Sequence, residues 1–329
     1  MTNTTTNKAG AGIGNLLHGA LGNYLGLFAA LMLMVLLFGT LSEYFFTVET
    51  FVTIANDIPA IAVTAVGMTF VLIIAGIDLS VGSVMALSAA VAGIAMVQWH
   101  WPLVLATALA MLVGTVAGLL NGAISVKWRL PSFIVTLGML EIARGAAYIA
   151  TGSRTQYIGG AVEWLSSPIL GGVSPAFVIA IAIVIVAHLV LTRTVFGRHM
   201  IGIGTNEEAM RLAGVDPRPI KIAVYALVGA LAGLGGIMQS SRLEAADPNA
   251  GIGAELVVIA SVVIGGTSLM GGRGSVISTF FGVLVISVLE AGLAQIGASE
   301  PTKRIITGCV IIAAVILDMY RERSRSRRT

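Results

Sequence analysis

Few side chains in this sequence can do chemistry, and the most patterned group of them lies within residues 193–221. That stretch reads RTVFGRHMIGIGTNEEAMRLAGVDPRPIK, a long, basic, polar interruption in an apolar chain. Thr205 or Asn206 stands where a helix N-cap is needed, and Glu208 follows Thr205 at capping-box spacing. Glu207 and Glu208 then fall in the first turn, where acidic groups oppose the positive helix end. Arg211 comes later, Gly214 supplies a stop, and Pro217 and Pro219 bar continuation. With Ala209 between the charges, the segment has the makings of a short rigid helix. Its chemistry is recognition through charge, which makes it a docking element for a soluble partner.

The remaining candidates are ionisable groups inside apolar runs. An aspartate at membrane depth costs about 2.5–3.5 kcal/mol on insertion scales, so Asp78 in GIDLSVGS requires a reason. Asp78 or Ser80 could cap a helix beginning near Val81, with glycines allowing a sharp bend; lining a translocation path is the other reading. Glu141 and Arg144, three apart on one helical face, read as an internal ion pair or as polar lining of a path. Glu290 and Gln295 are candidates of the same kind, and Asn121-Gly122 marks a helix end. Trp99 and Trp101 suit an interfacial aromatic belt.

Catalytic signatures are missing from the sequence. It holds no G-x-x-x-x-G-K-[ST] phosphate loop, no G-x-S-x-G elbow and no H-E-x-x-H. The 4 histidines are scattered and propose no metal site. Gly271-Gly272-Arg273-Gly274 lacks the lysine of a phosphate loop and reads as a tight turn between spans. If nucleotide hydrolysis drives any transport here, a partner must supply it.

These groups must be positioned by membrane helices. The chain is 57% hydrophobic and 11% charged, with mean hydropathy +0.95, against about 25% charged residues in a soluble domain. The apolar runs are long and continuous rather than alternating, which excludes a porin-like barrel. The 40 glycines suit helices that approach closely in lipid. Cys309 is the single cysteine, so no internal disulfide is possible.

At roughly 20 apolar residues per crossing, spans are predicted at 24–41, 59–77, 81–97, 102–120, 132–150, 176–191, 220–240, 255–266, 276–294 and 305–319. The chain therefore reads as all-α, with about ten transmembrane helices. Residues 1–20 form a flexible amino terminus, 21–320 the membrane domain with its loop at 193–221, and 321–329 a basic tail. The run after Tyr24 is too long for a signal-peptide core and reads as a retained first span.

With ten spans, Lys127 and Arg129, the basic residues of 193–221, and the tail arginines all fall on one side with the amino terminus. The opposite loops carry Glu43, Glu49, Asp57, Glu163, Glu244, Asp247 and Glu300. Basic loops stay inside, which places both termini in the cytoplasm. The tail itself reads as a topology anchor or a contact for lipid headgroups, not for nucleic acid. A faint duplication is also visible: IAGIDLSVGSVMALSAAV from Ile74 matches IGGTSLMGGRGSVISTFFGV from Ile264 with Gly-Ser-Val in register.

GIDLSVGSVMAL at 76–87, GTNEEAMRLAGV at 204–215 and GGTSLMGGRGS at 265–275 resemble, in that order, the membrane permease of bacterial sugar ABC importers. The nearest type is that of ribose, xylose, arabinose and galactosides, and the resemblance covers nearly the whole chain. It implies a bacterial inner-membrane subunit that pairs with a second permease copy. A periplasmic binding protein would hand over a monosaccharide, and ATPase subunits carrying ATP and Mg would drive import. NEEAMRLAGV resembles the coupling loop of such permeases, which gives Glu207, Glu208, Ala209 and Gly214 that role; Met210 departs from the pattern. The alternatives are a permease for another small solute (a furanose-like signal, a nucleoside, a branched-chain amino acid) or a secondary transporter driven by an ion gradient. No cluster of intramembrane carboxylates supports the last.

Overall fold

The computed structural model describes residues 10–169 and 171–326; residues 1–9, Leu170 and 327–329 lie outside it, and with them part of the expected amino terminus and tail. Apolar runs in lipid must satisfy their own backbone polar groups, and helices do so locally. The first half gives α1 (Gly10–Leu41), α2 (Val48–Ile73), α3 (Val81–Gln98), α4 (Leu103–Trp128) and α5 (Ser132–Thr151). The second gives α6 (Pro175–Arg193), α7 (Val195–Thr205), α8 (Glu207–Leu212), α9 (Pro217–Leu243), α10 (Ala254–Ile264), α11 (Val276–Gln295) and α12 (Glu300–Ser326). Two residue pairs, Gln156–Tyr157 and Ala245–Ala246, form a small antiparallel ladder across the ends of the bundle.

The all-helical expectation holds. Among the described residues 7 helices are long and apolar enough to cross a membrane, and 25–41 and α10 are shorter apolar helices. Every expected span falls on a helix, but several boundaries move. α2 begins at Val48, capped by the Thr47 hydroxyl accepting from the Thr50 amide at 3.3 Å, and runs straight through Pro59. Glu49 and Asp57 therefore ride on α2 rather than in a loop. α4 likewise passes through Asn121 and Gly122 to Trp128, so that pair does not end a helix. α7 stands where an irregular part of the 193–221 loop was expected.

α2 is the central element: 78% of its apolar window is buried, against 22% for α5. α9 packs on α2 and also on α4, where the two backbones touch. A Cβ on Gly114 would stand 2.0 Å from the Gly229 carbonyl oxygen, and one on Gly229 would stand 2.0 Å from the Gly114 oxygen. Gly118 meets the Tyr225 oxygen and Gly233 the Ala110 oxygen in the same way, at 2.0 and 2.3 Å. Four-residue spacing of small residues is what allows such an approach in lipid.

The two stretches that match in sequence both fold as helix, break, helix: α2 into α3, and α10 into α11. They meet at one end of the bundle, where the Gly272 amide donates to the Ile73 carbonyl at 2.8 Å. Thr69 and Thr279 join their hydroxyls at 2.8 Å beside that contact. α8 sits at this same end.

Candidate coupling helix, helix break and outward cavity

α8 is a six-residue helix with no buried residue. Its N-cap is Asn206, whose Oδ1 accepts from the Ala209 amide at 2.9 Å. Thr205 instead closes α7, its hydroxyl donating to the Ile201 carbonyl at 2.8 Å. Glu207 and Glu208 occupy the first turn, and both pair with Arg211, at 3.3 and 3.2 Å. Glu207 also pairs with Lys221 on α9, which ties α8 to the next span. Gly214 takes φ +84° and turns the chain back, and Asp216 caps α9 by accepting from the Arg218 amide at 3.0 Å. Exposed ion pairs of this kind are worth about 0–1 kcal/mol, so they orient the helix more than they stabilise the protein. Ala209 is exposed and Leu212 is 82% exposed, an apolar spot amid charge that the sequence reading passed over.

The break before α3 is a buried polar knot. Asp78 is 2% exposed, and its Oδ1 accepts from the Ser80 amide at 2.9 Å and the Ser80 hydroxyl at 2.6 Å. Ser80 holds the N-cap position of α3 without a side-chain cap bond. The Asn121 amide donates to the Ser80 hydroxyl at 3.0 Å. That engagement stops Asn121 from competing with its own backbone, which explains why α4 continues past it. The non-helical backbone of the break is met by hydroxyls from the first turns of α5. Ile77 donates its amide to Ser132 Oγ at 3.0 Å, and Leu79 donates to Thr136 Oγ1 at 3.1 Å.

The ion pair expected between Glu141 and Arg144 does not form. Arg144 Nη1 donates instead to the carbonyls of Pro248 and Ala250, at 2.6 and 2.9 Å, and so holds the loop between α9 and α10. Tyr148 reinforces this with a hydroxyl bond to Asn249 Oδ1 at 2.7 Å. The reason is reach: a carbonyl pair presented by the folded-back loop takes the guanidinium, and Glu141, three residues away, turns outward and is exposed. Arg144→Ala is therefore expected to lower stability by about 2–3 kcal/mol, the size of hydrogen bonds from a charged donor. Glu141→Ala should change little, and the double variant should match Arg144→Ala alone in thermal unfolding. A double variant more stable than Arg144→Ala would restore the ion pair.

At the end opposite α8, α2, α9, α11 and α12 surround a cavity of about 620 Å³. It gathers Glu290 and Gln295 with Asn56, Asp57, Gln239, Arg242 and Lys303. Asp57 on α2 pairs with Arg242 on α9 across it, and Gln295 donates to the Thr50 hydroxyl at 2.6 Å. Lys303 pairs with Glu300, whose carboxyl that hydrogen bond and charge hold below its ordinary range. Sequence reading found Glu290 and Gln295 but not the Asp57–Arg242 pair, whose members are 185 residues apart. Trp99 and Trp101 stay exposed with rings 5.7 Å apart, as an interfacial pair would.

The sequence profile of the family described as branched-chain amino acid transport system / permease component matches residues 50–315. Similar proteins include the ribose import permease protein RbsC of Haemophilus influenzae, 38% identical over 299 residues, which cover 89% of this chain and 92% of that protein. RbsC of Bacillus subtilis is 37% identical over 303 residues, with 89% and 92% covered. The fructose import permease protein FrcC of Rhizobium meliloti is 32% identical over 304 residues, with 88% and 83% covered. No solved structure matches the chain.

Proposed function

From the premise that this chain belongs to the family of branched-chain amino acid transport system permease components, we propose that it is the membrane-spanning subunit of an ATP-driven importer of monosaccharides. The family description names an amino acid system, but relatives aligned over nearly their full length are named for ribose, arabinose, fructose and allose. That weight of names favours a sugar over the other solutes. The chain is a transport subunit and not an enzyme. ATP and Mg belong to a separate ATPase, and the sugar arrives on a periplasmic binding protein.

The observation that carries this reading is α8. It is rigidly capped and tied to α9, yet none of its residues is buried, so it is built to be covered by something else. The basic segments cluster at its end: Gly122, one turn or so before Lys127 in the last turn of α4 and Arg129 at its C-cap, lies against Ile222 at the start of α9. On the positive-inside rule this end is cytoplasmic, both termini lie there, and the membrane is the bacterial inner membrane. Glu207, Glu208, Ala209, Arg211 and Gly214 then form the ATPase dock. The polar cavity opens at the other, periplasmic end.

Glu141 supports a second copy. It sits mid-way along α5 on an outward face otherwise formed by Ile134, Leu137, Ile142 and Ile149, all exposed. A charge facing hydrocarbon at the bilayer centre costs about 2.5–3.5 kcal/mol. Pairing two permeases with a wet path between them removes that cost, and puts Glu141 beside the path. Asp78 and Ser80 fix the break behind it.

The test is uptake by proteoliposomes containing the chain, its ATPase and its binding protein, with labelled ribose, fructose and leucine. Uptake of a sugar that requires ATP and withstands an uncoupler is the expected result. Leucine uptake alone would change the substrate, and uptake by the chain alone that collapses with the uncoupler would make it a secondary transporter.

A further inference from the structure

α8 connects backwards to the bundle through α7: Asn206 caps α8 and also ends α7, and the Met210 side chain lies against Gly202. α7 is held firmly, since Met200 and Ile203 are buried. Its last turn enters a crevice between the end of α2 and the loop that joins α10 to α11. A Cβ on Gly204 would stand 1.7 Å from the Ile73 carbonyl oxygen and 2.5 Å from the Gly272 amide nitrogen. Those two atoms are themselves hydrogen-bonded at 2.8 Å.

Gly271 continues the contact. Its Cβ would meet the Ala75 Cβ at 2.7 Å and the Gly204 carbonyl oxygen at 2.9 Å. Gly272 lies against Thr205. Three backbone segments thus meet with nothing larger than the Ala75 methyl and the Thr205 side chain beside them, and both breaks contribute one of the three. Gly271 and Gly272 take φ +86° and +73°, and Ala75 takes φ +58° at the same point. Side chains between packed elements can change rotamer and absorb a displacement, whereas backbone wedged on backbone must pass it on.

We propose that Gly204, Gly271 and Gly272 form a rigid joint that carries movement of α8 through α7 into both helix breaks at once. This rests on reading α8 as the ATPase dock. The joint makes Gly204 a positioning residue for transport: it touches neither sugar nor nucleotide, yet sets how far the ends of α2 and α10–α11 follow the ATPase. Coupling then reaches the two halves of the bundle at the same moment, independently of the Glu207–Lys221 tie to α9.

The test compares Gly204→Ala with Gly202→Ala in the reconstituted complex of permease, ATPase and binding protein. The three atoms nearest a Cβ at Gly202 all belong to the flexible Met210 side chain and none to backbone, so this neighbouring variant controls for loss of glycine on α7. Gly204→Ala is expected to co-purify with the ATPase and hydrolyse ATP. Stimulation by the loaded binding protein and sugar uptake should both fall on the order of tenfold or more, the usual size of a coupling between two sites. Gly202→Ala should keep both. Full stimulation and uptake in Gly204→Ala would overturn the joint.

Should Gly204→Ala fail to fold, hydrogen exchange of the wild-type complex decides, with and without vanadate trapping of the ATPase. Amides 72–76 and 271–275 must then change protection together with 202–206; a change confined to 202–206 overturns the joint. A wild-type chain that recovers no ATPase would instead remove the reading of α8 on which the joint rests.

Discussion

Alanine at Gly229 or at Gly114 is expected to cost this protein about 3 kcal/mol or more of its folded stability. Each added methyl would lie 2.0 Å from the carbonyl oxygen of the opposite helix, so α4 and α9 would have to part along their shared length. Overpacking a close interface costs about 1–3 kcal/mol, and backbone that cannot change rotamer belongs at or above the top of that range. The expected readout is a large loss of unfolding midpoint in detergent and a low yield of monodisperse protein. Gly26→Ala on α1 provides the contrast, because nothing lies within 4 Å of its added Cβ. It should melt at or slightly above the parent temperature, as alanine is the better helix former. Equal melting of all three variants would mean that the glycine interlock contributes nothing.

The second large effect is expected at Glu207. Lysine there would break two ion pairs and set a third cation beside Arg211 and Lys221. Those pairs are exposed and worth about 0–1 kcal/mol each, so the folded bundle should survive. Docking is another matter. A reversed charge at a complementary interface costs about 2 kcal/mol or more, roughly thirtyfold in affinity. Glu207→Lys should therefore insert and melt normally while losing the ATPase on purification and nearly all uptake. Retention of both would show that α8 is not where the ATPase binds.

Much of this arrangement is legible in the sequence, and the limits have physical causes. α8 could be read because caps, first-turn acids and a glycine stop are local signals; only the choice between Thr205 and Asn206 needed coordinates. The break at Asp78 was legible for the same reason. The partner of Arg144 was not, because it is a backbone carbonyl 104 residues away, and no side-chain pattern announces it. The span expected at 59–77 begins well inside α2, because an apolar run marks the stretch that can cross lipid and not the polar first turns that extend a helix back to Thr47. Asn121 misled the reading of α4, because its amide is engaged by Ser80 and the helix continues past it. The Gly204 joint combines glycines from distant segments, and glycine-rich stretches are abundant in this chain.

The contact between α4 and α9 also has a consequence for synthesis. α9 starts at Pro217, and α4 ends at Trp128. A ribosome adds about 5–20 residues per second, so α4 waits several seconds in the membrane before its glycine face meets the helix it fits. α2 waits longer still, because it ends at Ile73, well before α4, and Val228 of α9 must close over its Gly67. During that interval the Asp78 knot has Asn121 and the α5 hydroxyls already available from the nascent first half. The Asp78 knot can therefore close before the glycine faces meet, whereas Asp57 and Arg144 wait for residues 242–250. An insertase or chaperone that shields unfinished membrane proteins would then have the open glycine faces and these two waiting charges to cover, but not the Asp78 knot.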